Sequence, residues 1–268
     1  MKIRILGTGC AFVTKCYNTC FSIYDVKKDE YFLVDAGGGS QILERFESCN
    51  IDYKKIHHIF LTHKHIDHIL GMVWVVRLIA QNMAEGRYDD DVTIYGHDEA
   101  IEELRKLTCD LLQKKQSDQL EKKLHLKVVT DGESIDAFGH KVTFFDMGSQ
   151  KTKQFGCRME LEEGKSLVCL GDEPYRPHLE KYAKNATWLL HEAFCQYEER
   201  DRFKPYEKSH STVKEACENA QNLKVQNLII YHTKDNDIET RKQRYTDEGK
   251  AFFKGRLFVP DDLDELIL

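Results

Sequence analysis

The sequence predicts an α/β protein made of two β-sheets with helices on the outside. Three observations lead there. Short apolar runs of strand length alternate with amphipathic helical stretches along all 268 residues. No Pro/Ser-rich linker, composition break or internal repeat divides the chain, so a single domain over 1–268 is expected. With 41% hydrophobic and 31% charged residues, a sizeable core is available and disorder is excluded.

The elements follow in chain order. Lys2-Ile3-Arg4-Ile5-Leu6 opens the chain with a strand pattern, and further strands are read at 19–24, 31–34, 58–62 and 92–95. Later strands are read at 126–129, 141–145, 156–161, 166–170, 187–190, 227–231 and 256–259. Helical periodicity marks 38–48, 69–83, 98–115, 176–184, 211–221 and 238–254. A dozen strands interleaved with helices suit two sheets flanked by helices. The apolar stretch 69–79 reads as core, with a subunit interface as the alternative.

Composition narrows the class of function. The net charge is −6, so a generic nucleic-acid coat is excluded and any polyanionic substrate needs a local basic site. The segment 102–127 mixes Arg105, Lys106, Lys114, Lys115, Lys122, Lys123 and Lys127 with Glu102, Glu103, Asp110, Asp118 and Glu121, which reads as a solvated face. Nine scattered cysteines without a CxxC pair read as free thiols in a reducing cytoplasm. No apolar run approaches the ~18 residues of a membrane span, and no leader pattern follows Met1, so a soluble cytoplasmic protein is expected.

Chemistry concentrates in Phe60-Leu61-Thr62-His63-Lys64-His65-Ile66-Asp67-His68, where a strand gives way to a helix. If the backbone stays extended past the strand, His63 and His65 point the same way, because side chains alternate with period two. Asp67 and His68 then fall on the first helical turn. Neutral imidazole and carboxylate are what Zn²⁺ takes, at roughly 2.0–2.2 Å. Mn²⁺, Fe²⁺ or Co²⁺ also fit such donors.

The run His63 to His68 resembles the His-x-His-x-Asp-His signature of the metallo-β-lactamase superfamily, and the chain as a whole resembles ribonuclease Z and its relatives. Leu6-Gly7-Thr8-Gly9 is similar to that family's first strand and turn, and Asp35-Ala36-Gly37-Gly38-Gly39 to its Asp-Ala-Gly-x-Gly loop. Gly171-Asp172 follows an apolar strand as the family's metal-bridging aspartate does. His191-Glu192-Ala193 resembles the HEAT loop, and His210-Ser211-Thr212 the HST loop. His232 closes the strand 227–231, where the family's last ligand sits. Taken alone, Asp172 reads as a turn residue in Gly-Asp-Glu-Pro and His232 as a strand-end histidine. His210 alone reads as loop, with Ser211 or Thr212 capping the next helix.

The resemblance implies an αββα sandwich of two facing mixed sheets and a zinc-dependent phosphodiesterase. It implies two metal sites. His63, His65, Asp172 and one further histidine would form the first, and Asp67, His68, Asp172 and His232 the second. It also implies that Asp67 orients or deprotonates water, that His210 donates a proton to the leaving group, and that the protein forms a homodimer. The expected substrate is a phosphodiester, tRNA 3′ ends or something smaller. Alternatives are a cyclic-phosphate phosphodiesterase, a small-molecule ester hydrolase of the same superfamily, or a non-catalytic descendant.

Three departures stand out. Gly148 occupies the position of the missing first-site histidine, and the nearby His140 reads as a turn residue. His191 and Glu192 are read evenly between support of the site and structure, and His57, His58, His97, His125 and His178 as structural. The family's Pro-x-Lys-x-Arg-Asn loop is Val13-Thr14-Lys15-Cys16-Tyr17-Asn18 here, with Pro and Arg replaced, and Lys15 is a candidate phosphate contact. No long Gly-Pro-containing arm for gripping tRNA is found.

Overall fold

A computed structural model describes residues 1–120 and 122–268; Glu121, one acid of the mixed-charge segment, lies outside the described residues. The chain divides into two compact units. The first comprises Met1–Gly7, Tyr17–Thr130 and Asp262–Leu268, the second Thr8–Cys16 and Asp131–Asp261.

The first unit holds β1 (Lys2–Gly7), β2 (Cys20–Asp25), β3 (Glu30–Val34), α1 (Gln41–Ser48), β4 (Ile56–Phe60), α2 (Ile66–Ala84), β5 (Val92–Gly96), α3 (Asp98–Leu111), α4 (Lys114–Ser117) and β6 (Leu124–Val128). Its seven-stranded sheet begins with the C-terminal strand Glu265–Ile267 and continues β1-β2-β3-β4-β5-β6. Strands β3 to β6 pair in parallel, as helical crossovers require. Helix α2 buries Ile69, Met72, Val73, Val75, Val76, Ile79, Ala80 and Met83, a 3–4 spacing that wraps most of its circumference in core. Gly71 is the close-approach point: a Cβ there would lie 1.8 Å from the Ala36 carbonyl oxygen. Its amide instead donates to the Gly37 carbonyl at 2.8 Å, which clamps α2 onto the loop after β3.

The second unit holds β7 (Ser134–Ala137), β8 (His140–Asp146), β9 (Phe155–Glu160), β10 (Ser166–Cys169), α5 (Glu180–Ala183), β11 (Trp188–Glu192), α6 (Arg200–Phe203), α7 (Val213–Asn222), β12 (Asn227–Tyr231), α8 (Ile238–Phe252) and β13 (Arg256–Phe258). Its sheet runs β13-β12-β11-β10-β9-β8-β7. The β9–β8–β7 end is antiparallel and the β10–β13 part parallel. Leu170, Leu189, Val213, Ala216, Ala220, Leu228, Ile230 and Tyr245 are among its core.

The elements differ from expectation in instructive places. The strand expected over 58–62 ends at Phe60, because the Thr62 amide leaves the ladder to donate to Asp35 Oδ1 at 2.8 Å. The helix expected over 98–115 is interrupted at Leu112 and Gln113. The hairpin strand β7 and the strand Glu265–Ile267 were not expected; both are short and gain their pairing from distant or turn-directed partners. The described charged side chains of the mixed-charge segment are exposed or half-buried, and Lys114 pairs with Asp118 at 2.9 Å. Among the described residues the nine cysteines are all free, six of them buried, and no helix is long and apolar enough to cross a membrane.

Candidate metal centre

In the first unit the histidine run sits where β4 passes into α2. His65 is the N-cap of α2, extended at φ −65° and ψ 150°, so Asp67 and His68 lie in the first helical turn. His63, Asp67 and His68 are buried, at 0%, 5% and 1% exposure. His63 Nε2 lies 2.9 Å from His65 Nδ1. Two imidazole nitrogens on one tetrahedral Zn²⁺ at ~2.0–2.1 Å are separated by about 3.3 Å, so the spacing suits a shared ion.

Asp35 organises this cluster. It stands in the left-handed region (φ 55°) just after β3. Its Oδ2 receives the Thr62 hydroxyl at 2.7 Å and faces His68 Nδ1 at 2.7 Å. Thr62 Oγ1 in turn lies 2.9 Å from His63 Nδ1. With the hydroxyl proton given to Asp35, Thr62 accepts from His63 Nδ1–H, and His68 Nδ1–H donates to the carboxylate. Both rings then turn the Nε2 lone pair outward, the arrangement in which a carboxylate orients metal-binding imidazoles. Burial opposes charge on His68, but Asp35 and Asp67 outweigh it and push its pKa well above 6.5. The pocket therefore calls for positive charge, which a proton or a metal ion can supply, and the donor set fits a divalent ion.

In the second unit Asp172 follows β10 and is buried, His232 follows β12, and His210 precedes α7. His232 adopts φ 57°, strained for a β-carbon-bearing residue, and its Nε2 lies 3.6 Å from Asp172 Oδ2. The His210 ring is 5.2 Å from that of His232. The unit thus brings Asp172, His210 and His232 together by itself.

His210 is held on two sides. Its Nδ1 lies 3.5 Å from Glu192 Oε2, and its ring stacks on Phe194 at 4.8 Å with 5° between planes. Glu192 is fully buried at the end of β11, and its other oxygen accepts the Ser211 amide. Burial pulls the His210 pKa down, but the facing Glu192 carboxylate, with Asp172 and Glu173, outweighs it and raises the pKa above 6.5. His191 is fully buried; desolvation lowers its pKa, and its Nδ1 lies 2.7 Å from the Glu192 carbonyl, a packing role. Thr212 rather than Ser211 caps α7, with Glu215 reaching back to its amide at 2.8 Å.

The segment that lacks a histidine has a backbone that strains one. Gly148 has φ +69°, and a Cβ there would lie 2.9 Å from His178 Cε1. His178 Nε2 rests 3.1 Å from the Asp146 carbonyl, and Ser149 Oγ donates to the buried Glu173 at 2.8 Å. His140 lies at the start of β8, its Nδ1 3.0 Å from the Glu160 carbonyl. Lys15 rests its Nζ 3.3 Å from the Asn236 carbonyl while its amide donates to Asp235. Sequence reasoning did not single out Asp35 as the organiser of two histidines, nor Phe194 as the stacking partner of His210. The Asp-Ala-Gly loop was the one signal for the former, and no spacing signals the latter.

Comparison with known proteins bears on family and fold. A model of the anti-Pycsar protein Apyc1 family matches residues 1–254. The chain belongs to that family. It lies within the ribonuclease Z-like part of the metallo-β-lactamase superfamily. Ribonuclease Z of Pyrococcus abyssi is 26% identical over 317 aligned positions that take in 100% of this chain and 96% of the relative. Among solved structures, the metallo-β-lactamase fold protein YhfI from Bacillus subtilis superposes with a TM-score of 0.78 at 18% identity, covering 99% of this chain and 98% of its own. Human short-form tRNase Z superposes with a TM-score of 0.74 at 20% identity, covering 100% and 99%. The fold is that of the metallo-β-lactamase superfamily, with two mixed sheets and helices.

Proposed function

We propose that this chain is a metal-dependent phosphodiesterase in which the two half-sites act together. His63, His65, Asp67 and His68 of the first unit and Asp172 and His232 of the second are the residues that would hold the metal. Zinc is the proposed metal, because imidazole and carboxylate donors suit it. The supporting observation is His210: an imidazole with a raised pKa, backed by a buried carboxylate and stacked on an aromatic ring, stands 5.2 Å from the ring of a candidate ligand.

A pair of divalent ions held by such donors supplies Lewis acidity toward a phosphoryl oxygen and lowers the pKa of water. Asp67 orients the attacking water. His210 gives its proton to the departing alkoxide, which is a poor leaving group near neutral pH. Glu192 keeps His210 in the tautomer that presents Nε2 to the substrate. Asp35 performs the corresponding service for His63 and His68.

A compact phosphodiester, such as a cyclic nucleotide or a short oligonucleotide, is favoured over tRNA. The Pyrococcus abyssi alignment spans 317 positions against 268 residues here, so 49 positions of the relative have nothing opposite them. The chain also carries a net charge of −6, unfavourable for wrapping a long polyanion. Cleavage of bis(p-nitrophenyl) phosphate, 2′,3′- and 3′,5′-cyclic nucleotides and precursor tRNA, with metal counted per chain, tests the reading. Turnover of the small diesters with two ions bound is expected; ester hydrolysis alone, or no metal, overturns it. A homodimer and a cytoplasmic setting belong to the same proposal, the former tested by light scattering.

A further inference from the structure

Behind His210 the second unit gathers positive charge that its fold leaves unneutralised. The Phe194 ring has His210 stacked on it at 4.8 Å. Lys208 Nζ lies 5.0 Å and Lys234 Nζ 5.1 Å from the centroid of that same ring. Lys234 Nζ is also 5.5 Å from the Phe203 ring, over which the Arg202 guanidinium sits at 4.7 Å. Among the described residues no carboxylate oxygen lies within 4.0 Å of these three cations. Two acids near them in sequence are engaged elsewhere: Asp235 accepts the amides of Thr14 and Lys15, and Glu192 accepts the Ser211 amide and faces His210. The Lys208 ammonium donates to the Phe203 carbonyl at 2.8 Å, which holds that charge beside the ring, and the Lys234 amide donates to the Phe194 carbonyl at 3.0 Å, which anchors its backbone at the same wall.

Converging like charges repel, and the aromatic faces repay only part of that. A multiply charged anion between them removes the repulsion, and an apolar backing of Cys10, Phe194 and Cys195 strengthens its attraction. The ring distances of 4.8 and 5.1 Å keep both ammonium groups within 9.9 Å of the His210 ring. One nucleoside bridging two phosphates spans such a gap.

We infer that Lys208, Lys234 and Arg202 form a subsite for a second phosphate group, one nucleoside away from the phosphodiester served by His210. The preferred substrates of this subsite are short oligonucleotides or nucleotides bearing an extra phosphate. The inference rests on the phosphodiesterase reading for its substrate, though not for the existence of the anion site.

The test compares the metal-loaded protein on the dinucleotides pApA and ApA, which differ only in the 5′-phosphate. The wild type is expected to favour pApA by about 10–100-fold in kcat/KM, the range of one or two charge-assisted contacts. Lys208→Gln/Lys234→Gln should collapse that preference through KM, with Arg202→Gln reducing it further. Lys208→Arg/Lys234→Arg should retain it, which separates charge from packing. No preference in the wild type, or an equal preference in the glutamine variant, overturns the inference. Inhibition of ApA cleavage by inorganic phosphate, weakened in the glutamine variant, would assign the subsite to free phosphate as well. If the wild type cleaves neither dinucleotide nor bis(p-nitrophenyl) phosphate, the phosphodiesterase reading fails. Calorimetric binding of adenosine 3′,5′-bisphosphate then decides the subsite, and equal affinity in wild type and glutamine variant rejects it.

Discussion

The two half-sites are built in opposite ways. In the first unit four candidate ligands lie within six consecutive residues, His63 to His68, and one aspartate from a neighbouring loop orients two of them. In the second unit Asp172, His210 and His232 come from three separate loops, each at the end of a parallel strand or the start of a helix, and are joined only by the sheet order β10-β11-β12. The first is a local motif tuned from outside; the second is an assembly made by topology. Their organising carboxylates differ accordingly. Asp35 serves candidate metal ligands, whereas Glu192 serves the candidate proton donor.

That contrast makes graded predictions. The largest effect is expected at His210: His210→Ala should lower kcat on bis(p-nitrophenyl) phosphate by about 10²–10⁴ while metal content stays that of the wild type. Loss of metal in this variant would turn His210 into a ligand and erase the distinction. Next comes Asp35→Asn, expected to weaken metal binding by about 10–100-fold in a competition titration, because His68 loses its carboxylate and Thr62, which orients His63, loses its charged acceptor. Glu192→Gln should instead lower kcat with metal affinity kept. If the two carboxylate variants behave alike, the comparison fails.

Metal uptake should also be proton-linked. Burial opposes charge on His68, but Asp35 and Asp67 outweigh it and raise its folded pKa above 6.5, so the metal-free ring keeps its proton to higher pH than a free imidazole. Its contribution to apo stability is present below the unfolded pKa and lost as pH rises through the folded one. Zn²⁺ added near pH 7 should therefore release protons, seen in a weakly buffered indicator assay, and Asp35→Asn should reduce that release. The smallest effect concerns packing. Gly71→Ala forces a methyl against the Ala36 carbonyl and should cost about 1–3 kcal/mol, read from urea unfolding, with weaker metal binding as α2 lifts from the Asp35 loop. An unchanged midpoint would show the clamp to be dispensable.

Most of the strand and helix pattern was legible because apolar spacing is a local property, and β12 (Asn227–Tyr231) matches its expected span residue for residue. The failures are short elements such as β7 and Glu265–Ile267, whose stability comes from partners rather than from their own sequence. At position 148 the sequence showed a missing histidine, but the structure adds that the backbone is left-handed and the space is taken by His178. A Gly148→His replacement is thus strained rather than a simple restoration. Equally, Phe194 reads in sequence as one more apolar residue after β11, and only the return of the chain at 210 and 234 gives it a ring to stack on and a cation to bear.

The sequence by itself determined the mixed-sheet architecture and the His63–His68 cluster, because residues close in sequence must stay close in space. Tertiary structure alone decided which carboxylate orients which imidazole, and that Lys208 and Lys234 meet at one ring. Those contacts join residues between 14 positions apart (Phe194 and Lys208) and 40 apart (Phe194 and Lys234), and burial of each unit's core holds them at contact distance.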